Sequence, residues 1–172
     1  MRFTKSGGEY SGAALNSFLL ALNHSDAIVQ KVLRDSGVER IDPDRWYEIN
    51  WAIDIYFKIS EQVGRGAITA VGKKMIQTAV FPPGLSDIKS MLMSLDAAYR
   101  LNARGPDIGT IVTEFHDDYS ATSTWTTLGP CPLNIGIIDG CCGRVGASAL
   151  IEHAPGGCMD DGASACTYLI SL

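Results

Sequence analysis

Residues 108–128 read IGTIVTEFHDDYSATSTWTTL, and this stretch decides the fold class. It is rich in Ile, Val, Thr and aromatic residues, which are typical of β-strands. We predict a first strand over 108–119 and a second strand over 124–128, with a turn at 120–123 between them. Two such runs joined by a short polar connection indicate an antiparallel hairpin.

The chain that follows this hairpin predicts one helix and two more strands. Residues 132–145 are apolar on several sides, which is typical of a buried helix. Further strands are predicted over 147–153 and 165–172, with a turn at 160–162. The order strand, strand, helix, strand, strand predicts a mainly antiparallel four-stranded sheet.

The chain that precedes the hairpin has a helical pattern instead. Apolar residues recur at steps of three and four, which predicts helices over 9–23, 25–37, 43–63, 68–80 and 86–102. Helices kept apart from hairpins indicate an α+β domain, with the helical N-terminal half packed on one face of the sheet. We find no linker, so we predict a single ligand-binding domain over 1–172, in which residues 1–40 form a helical extension.

Composition and charge exclude several classes of function. Acidic residues outnumber basic ones by 19 to 14, which gives a formal net charge of −5 and argues against nucleic-acid binding. The chain is 46% hydrophobic and 19% charged, as in a globular domain rather than a disordered one. No apolar run approaches the roughly 18 residues that a membrane span requires, so we predict no membrane span.

The five cysteines all lie in the last quarter of the chain. Their odd number and their clustering do not resemble a secreted disulfide framework, so we predict reduced thiols and a cytoplasmic protein. Cys158, Gly162 and Cys166 are separated by three residues at each step, and a turn at Asp161-Gly162 would make the two thiols face each other.

A zinc site is one interpretation of these thiols. Cys131 lies just before the predicted helix that leads into the same sheet, and three converging thiolates suit Zn²⁺. Glu152, His153 and Asp160 are all candidates for the fourth ligand. The alternative interpretation is that the cysteines pack in the core as small apolar residues.

The same segment resembles a known family. Its motif residues are similar, in order and nearly in spacing, to those of the 4-vinyl-reductase-type domain; they are Cys131, Ile135-Gly136, Gly140, Cys158, Gly162 and Cys166. That domain is the small-molecule-binding module of phenol- and xylene-responsive bacterial transcription activators. The wider superfamily includes haem-based nitric-oxide-sensing domains and vesicle-tethering subunits.

The resemblance implies a ligand set for the metal. In that family three cysteines and a Glu hold a structural zinc ion beside the ligand pocket. Carried over, the ligands here would be Cys131, Cys158 and Cys166, with Glu152 as the fourth. The match departs from the family pattern at that fourth ligand, because Pro155 occupies the family's Glu position and Glu152 lies three residues further back.

A ligand pocket between the helices and the sheet is also expected. Its candidate lining residues are Trp46, Trp51, Tyr56, Phe57, Trp125 and His116. The related nitric-oxide-sensing domains use a proximal His and a Tyr-x-Ser-x-Arg motif, and this sequence lacks that motif. Because His116 is the only axial ligand the pattern offers, we do not expect haem.

The function predicted from these features is that of a sensory domain. It would bind a small hydrophobic molecule and act through a homodimer and a separate signalling partner protein, with the zinc site as a structural element. Two alternatives stay open, a protein–protein adaptor like the tethering subunits and a small-molecule reductase. The reductase would need an acid–base group in the pocket, such as Glu114 or His116, and we favour a role that is not enzymatic.

Overall fold

The computed structural model describes residues 6–22, 24–79 and 81–172. Seven α-helices are present in these ranges: α1 (Gly12–Ala21), α2 (Asp26–Asp35), α3 (Ile49–Val63), α4 (Arg65–Thr78), α5 (Ile88–Met93), α6 (Leu95–Arg100) and α7 (Cys131–Arg144). The same ranges contain seven strands: β1 (Glu9–Ser11), β2 (Trp46–Glu48), β3 (Ala103–Arg104), β4 (Ile111–Phe115), β5 (Ser120–Trp125), β6 (Leu150–His153) and β7 (Cys166–Ser171). Three parts of the sequence predictions lie outside the described residues: residues 1–5 of the extension, and Asn23 and Val80, where two of the helices were predicted to end.

The larger sheet has four antiparallel strands in the order β4-β5-β7-β6. With α7 between β5 and β6 in the chain, this confirms the α+β class and the order of its elements. The predicted turn at 120–123 is wrong, because Ser120 already belongs to β5. The Asp117 carboxylate closes the turn earlier, accepting hydrogen bonds from the Tyr119 amide and the Ser120 hydroxyl at 2.8 and 2.9 Å.

A second, three-stranded sheet was not predicted from the sequence. Its order is β2-β1-β3, and Glu9 pairs with both Glu48 and Arg104. The helices predicted over 9–23 and 43–63 therefore begin only at α1 and α3. Each of these strands has three residues or fewer, so its pairing with distant parts of the chain leaves no local periodicity to detect.

Capping side chains set where several helices begin. The Ser11 hydroxyl accepts a hydrogen bond from the Ala14 amide at 3.1 Å, which ends β1 and starts α1. Asp87 and Ser90 form a reciprocal capping box at the start of α5. The single helix predicted over 86–102 is in fact two, α5 and α6, which are separated at Ser94.

Close packing of α4 against α7 joins the helical half to the sheet. A Cβ atom on Gly136 would overlap the Thr69 carbonyl oxygen, and one on Gly72 would overlap the Leu133 carbonyl oxygen. The Thr69 hydroxyl also donates a hydrogen bond to the Pro132 carbonyl at 3.1 Å. Because only glycine allows this approach, these positions fix where α7 lies between the two halves.

The buried side chains form two clusters. One fills the helical half and includes the fully buried Leu15 and Phe18, which lie in the predicted extension over 1–40. The other lies between the sheet, α5 and α7, and includes Ile138 and Tyr168. Among the described residues, no helix is both long and apolar enough to cross a membrane.

Candidate metal centre and ligand cavity

Four ligand-type side chains converge at one end of the larger sheet. They are Cys131, His153, Cys158 and Cys166, and their ligand atoms all lie within 4.8 Å of one another. Cys131 is the first residue of α7, His153 the last of β6 and Cys166 the first of β7. Cys158 lies on the connection between β6 and β7, immediately before a short 3₁₀ helix.

The sulfur spacing suits one tetrahedral ion. The Sγ atoms of Cys158 and Cys166 lie 3.6 Å apart. In a tetrahedral zinc site a Zn–S distance of about 2.3 Å places two sulfurs about 3.8 Å apart. The two thiols therefore already stand close to the separation that such an ion would impose.

The orientation of the His153 ring adds an independent argument for a metal. Its Nδ1 lies 2.9 Å from the Ala154 carbonyl oxygen, and since a carbonyl only accepts, Nδ1 carries the proton. Nε2 is then a lone-pair nitrogen, and it is buried without a hydrogen-bond partner among the described residues. A metal-binding His characteristically donates its other ring N–H to a carbonyl in this way.

Glu152, the fourth ligand that the resemblance implied, does not lie in this cluster. Successive side chains of a strand point to opposite faces, and Glu152 pairs with Leu169 on the exposed outer face. His153 pairs with Tyr168 on the inner face and joins the thiols. Asp160, the third candidate, instead accepts hydrogen bonds from the Cys131 amide at 3.2 Å, at the start of α7.

The thiols share their protons unequally. The hydrogen bond between the Cys131 and Cys166 thiols lowers the pKa of Cys166 and raises the pKa of Cys131. Burial raises the pKa of Cys158. Burial alone would lower the pKa of His153, but the neighbouring Cys166 sulfur and the Ala154 carbonyl raise it overall. Of these three thiols, Cys166 therefore has the lowest pKa and is the most readily ionised.

Tyr168 connects this cluster with the interior. Its hydroxyl donates to the Cys131 sulfur at 3.3 Å and accepts from the Asn134 side-chain amide at 3.2 Å. Its ring makes edge-to-face contacts with His153 and Trp125, at centroid distances of 5.3 and 6.1 Å. Tyr168 thus holds the cluster against Trp125, which belongs to a second site.

That second site is a cavity of about 450 Å³ between the helical half and the inner face of the sheet. Its wall is formed by Tyr10, Ala13, Ala14, Ser17, Met75, Ile76, Thr78, Ala79, Phe81, Leu95, Ala98, Tyr99, Leu101, Asn102, Ile111, Trp125 and Ile137. None of these residues is acidic or basic. Small side chains on one face of α1, namely Ala13, Ala14 and Ser17, together with Ala98 on α6, leave the space open.

The tyrosine hydroxyls in the wall are already hydrogen-bonded within the protein. The Tyr99 hydroxyl donates to the Ile108 carbonyl at 2.6 Å, and the hydroxyls of Tyr10 and Tyr56 lie 3.4 Å apart. Burial raises the pKa of Tyr10 and Tyr99, so both stay neutral. The cavity therefore offers an uncharged and mainly apolar surface, as small-molecule sites usually do.

The structure places one of the six predicted pocket residues, Trp125, in the cavity wall. The other five lie elsewhere; they are Trp46, Trp51, Tyr56, Phe57 and His116. Trp46 lies under the Arg104 guanidinium at 4.1 Å, Trp51 stacks on Tyr47, and Tyr56 and Phe57 belong to the helical core. Aromatic residues that recur along one side of a helix, such as Tyr56 and its neighbours on α3, are consistent with core packing. The small residues of α1 were the feature of the sequence that could have indicated a cavity.

His116 and Glu114, the groups that a reductase would need, lie on or beside the exposed outer face of the sheet. His116 Nε2 is 2.7 Å from the Thr122 hydroxyl on the same face. Neither residue is in the wall of the cavity. The cavity and these two titratable side chains are therefore on different sides of the sheet.

Sequence comparisons give no relative for this chain, since no family model and no curated protein matches it. Structural comparison does. A structure from a study of haem distortion in the H-NOX family is 16% identical, covers 94% of each chain and has a TM-score of 0.71. An oxygen-binding H-NOX domain related to soluble guanylate cyclases is 17% identical, with 93% and 91% coverage and a TM-score of 0.66. An H-NOX variant from T. tengcongensis is 17% identical, with 92% and 94% coverage and a TM-score of 0.69.

These structures correct the resemblance drawn from the cysteine motif. The matched structures are described as H-NOX domains, and the 4-vinyl-reductase-type family receives no support. The resemblance rested on about forty residues around Cys131, Cys158 and Cys166. A motif of that length covers a small part of the chain, whereas the structural match extends over more than nine-tenths of it and shows the fold.

The expectation against haem is overturned as well, because several of the matched structures are described in terms of haem. Haem iron is held in proteins by His, Cys, Met or Tyr. The cavity wall contains Met75, Tyr10 and Tyr99 but none of the three histidines, so its residues do not fit a histidine-ligated haem. The chain has the H-NOX fold, and the wall residues of a type that can ligate haem iron are Met75, Tyr10 and Tyr99.

Proposed function

We propose that this chain is a small-molecule-binding sensory domain whose ligand is a hydrophobic molecule held in the cavity. The observation that carries the proposal is the cavity itself, about 450 Å³ in volume and without an acidic or basic residue in its wall. This volume is in the range of about 300–1,000 Å³ that is usual for ligand pockets. The resemblance to H-NOX domains in fold adds support.

The position of the cavity supports a sensory role. One side of the wall belongs to the helical half, through Ala14 and Ala98, and the other to the sheet and α7, through Trp125 and Ile137. A molecule bound there touches both halves at once, so it favours one packing of the halves over another. Such a shift is what a sensor needs in order to signal.

The signal would pass to a separate partner protein through a homodimer. Three exposed apolar side chains, Val112, Leu150 and Leu169, lie on the outer face of the larger sheet, where a second protein could pack. All five cysteines are unpaired, which supports a reducing, cytoplasmic environment. Sedimentation velocity on the isolated chain tests the dimer, and a monomer at micromolar concentration would contradict it.

Calorimetric titration with 1-octanol tests the ligand site. We expect one molecule bound per chain. Ala98 is a buried wall residue, and Ala97 is its exposed neighbour on α6, so the two give a matched pair of variants. Ala98→Leu fills the cavity and should weaken binding at least about tenfold, whereas Ala97→Leu should leave it unchanged. Equal binding by both variants, or none by the natural chain, would contradict the proposal and favour the adaptor.

A second function, binding of a structural zinc ion, is supported by the buried lone-pair nitrogen of His153 beside three thiols. The ligands would be Cys131, His153, Cys158 and Cys166, a donor set usual for structural zinc. When bound, the ion would tie the start of α7 to β6 and β7. Its role is structural because all four positions are filled by protein atoms.

Metal content measured by mass spectrometry on protein purified without added metal tests this site. We expect about one zinc per chain. His153→Gln should lower the zinc content, whereas Glu152→Gln, a change at the neighbouring exposed residue, should not. Loss of zinc in the Glu152 variant alone would restore the ligand set inferred from the sequence. Absence of metal from the reduced natural protein would return the cysteines to a packing role.

A further inference from the structure

The cavity runs from an exposed mouth to a buried floor, which limits how a ligand can lie in it. Ala13, Thr78 and Leu101 line it and are exposed to solvent, so they mark the mouth. Leu95 and Trp125 line it and are buried, so they mark the floor. The two ends therefore differ in exposure.

Around Trp125 the floor is apolar towards the ligand. The Trp125 indole N–H donates to the Ser123 hydroxyl at 2.8 Å, so the indole presents only its ring to the cavity. Leu95 and Ile111, which are also buried wall residues, are aliphatic, and the buried Tyr10 hydroxyl accepts a hydrogen bond from the Tyr56 hydroxyl. A polar ligand group placed here would lose its hydration and gain no partner, which is unfavourable.

Three polar side chains of the wall, those of Thr78, Asn102 and Ser17, differ in whether they are already hydrogen-bonded. The Thr78 hydroxyl donates to the Met75 carbonyl at 3.3 Å, and the Asn102 side-chain amide donates to the Ala98 carbonyl at 3.1 Å. Ser17, one turn along α1 from Ala13, is a half-buried wall residue whose hydroxyl has no hydrogen-bond partner among the described residues. It can therefore donate to or accept from a ligand at no cost to the fold.

The wall contains no charge to balance an ionised ligand group. Resting on the function proposed above, we infer that the cavity takes an uncharged amphiphile in one orientation. Its neutral hydroxyl or carbonyl head bonds to the Ser17 hydroxyl near the mouth, and its apolar tail lies on the Trp125 ring at the floor.

Contact quenching of tryptophan fluorescence tests the orientation. The probes are two bromo-octanols, one brominated at the end of the tail and one brominated beside the hydroxyl. We expect stronger quenching by the tail-brominated probe at equal occupancy, because its bromine reaches Trp125. Trp125→Phe should abolish that difference, since only Trp46 and Trp51 remain and neither lines the cavity. Equal quenching, or stronger quenching by the head-brominated probe, would overturn the orientation.

Calorimetry with three octyl compounds tests the ligand class. We expect octanoate and octylammonium to bind about 100-fold more weakly than 1-octanol, because their charges would be buried without a partner. Ser17→Ala should weaken 1-octanol binding about five- to tenfold, whereas Asn16→Ala, on the same helix but outside the wall, should not. Binding of all three probes with equal strength would overturn the ligand class and leave the proposed function intact. Binding of none would overturn both.

Discussion

The metal cluster and the cavity are opposite kinds of site in one molecule. The cluster brings four ligand atoms within 4.8 Å of one another and leaves a buried lone-pair nitrogen unsatisfied. The cavity encloses about 450 Å³ and offers no charge. The first presents atoms that bind metals, and the second presents an uncharged and mainly apolar surface. The difference shows that one fold can carry two sites of different chemistry.

The two sites nevertheless share a wall. Trp125 lines the cavity and is paired in the sheet with Cys166 of the cluster. Tyr168 contacts Trp125 through its ring and Cys131 through its hydroxyl. Perturbing one site while measuring the other therefore shows how independent they are.

Removing the metal should have the largest effect. Stripping zinc with a chelator should lower the free energy of unfolding by at least about 3 kcal/mol, since metal binding to a closed site contributes directly to folding. For a chain of this size that corresponds to a fall in Tm of about 6–12 °C, measured by calorimetry with and without added zinc. Affinity for 1-octanol, measured below the lower Tm, should change little. An unchanged Tm would contradict a structural metal.

Crowding the α4–α7 contact should lower the stability of the whole fold. Gly136→Ala places a Cβ against the Thr69 carbonyl oxygen, so we expect a loss of about 2–3 kcal/mol of stability in chemical denaturation. Gly143→Ala is the control, because a Cβ there meets nothing within 4 Å and alanine favours a helix. Equal stability of the two variants would show that this helix contact is not close.

Removing the Tyr168 hydroxyl should affect the cluster more than the cavity. Tyr168→Phe removes the hydrogen bond to the Cys131 sulfur and leaves the buried Asn134 amide without that acceptor. We expect a cost of about 1–2 kcal/mol in stability and an approximately tenfold weaker zinc affinity in a competition titration. A zinc affinity equal to that of the natural chain would show that the hydroxyl does not support the site.

Filling the cavity should have the smallest effect on stability. Ala98→Leu adds apolar atoms to empty space, so the free energy of unfolding should change by less than about 1 kcal/mol. Zinc content should be unchanged, since Ala98 has no part in the cluster. A large loss of stability in urea denaturation would mean that α6 has no room for the added side chain.

The sequence predicted the larger sheet and the three thiols because their signals are local. Residues 108–128 and 165–172 carry strand composition, and Cys158 and Cys166 are joined by a short connection. The fourth ligand was open because choosing between Glu152 and His153 requires knowing which face of β6 is covered. Ile151 and Tyr168 lie on the covered face, and the pairing of β6 with β7 shows that His153 lies there too. That pairing is not visible in the sequence.

The cavity and the smaller sheet could not be predicted in the same way. The wall gathers residues from Tyr10 to Ile137, and its volume results from small side chains on α1 facing aromatic residues far along the chain. Large aromatic residues such as Tyr56 attract attention in a sequence, yet that residue fills the helical core. No residue type marks a cavity in a sequence, because the position of a cavity depends on how distant side chains pack together.

An NMR titration of the isotope-labelled, zinc-loaded protein with 1-octanol tests the central claim most directly. We expect saturable shifts at the amides of Ala14 and Ala98 and at the indole N–H of Trp125, all of which line the cavity. The amides of Leu150 and Leu169, on the outer face of the sheet, should not move. Shifts confined to that outer face, or no saturable shift anywhere, would contradict a ligand site inside this fold.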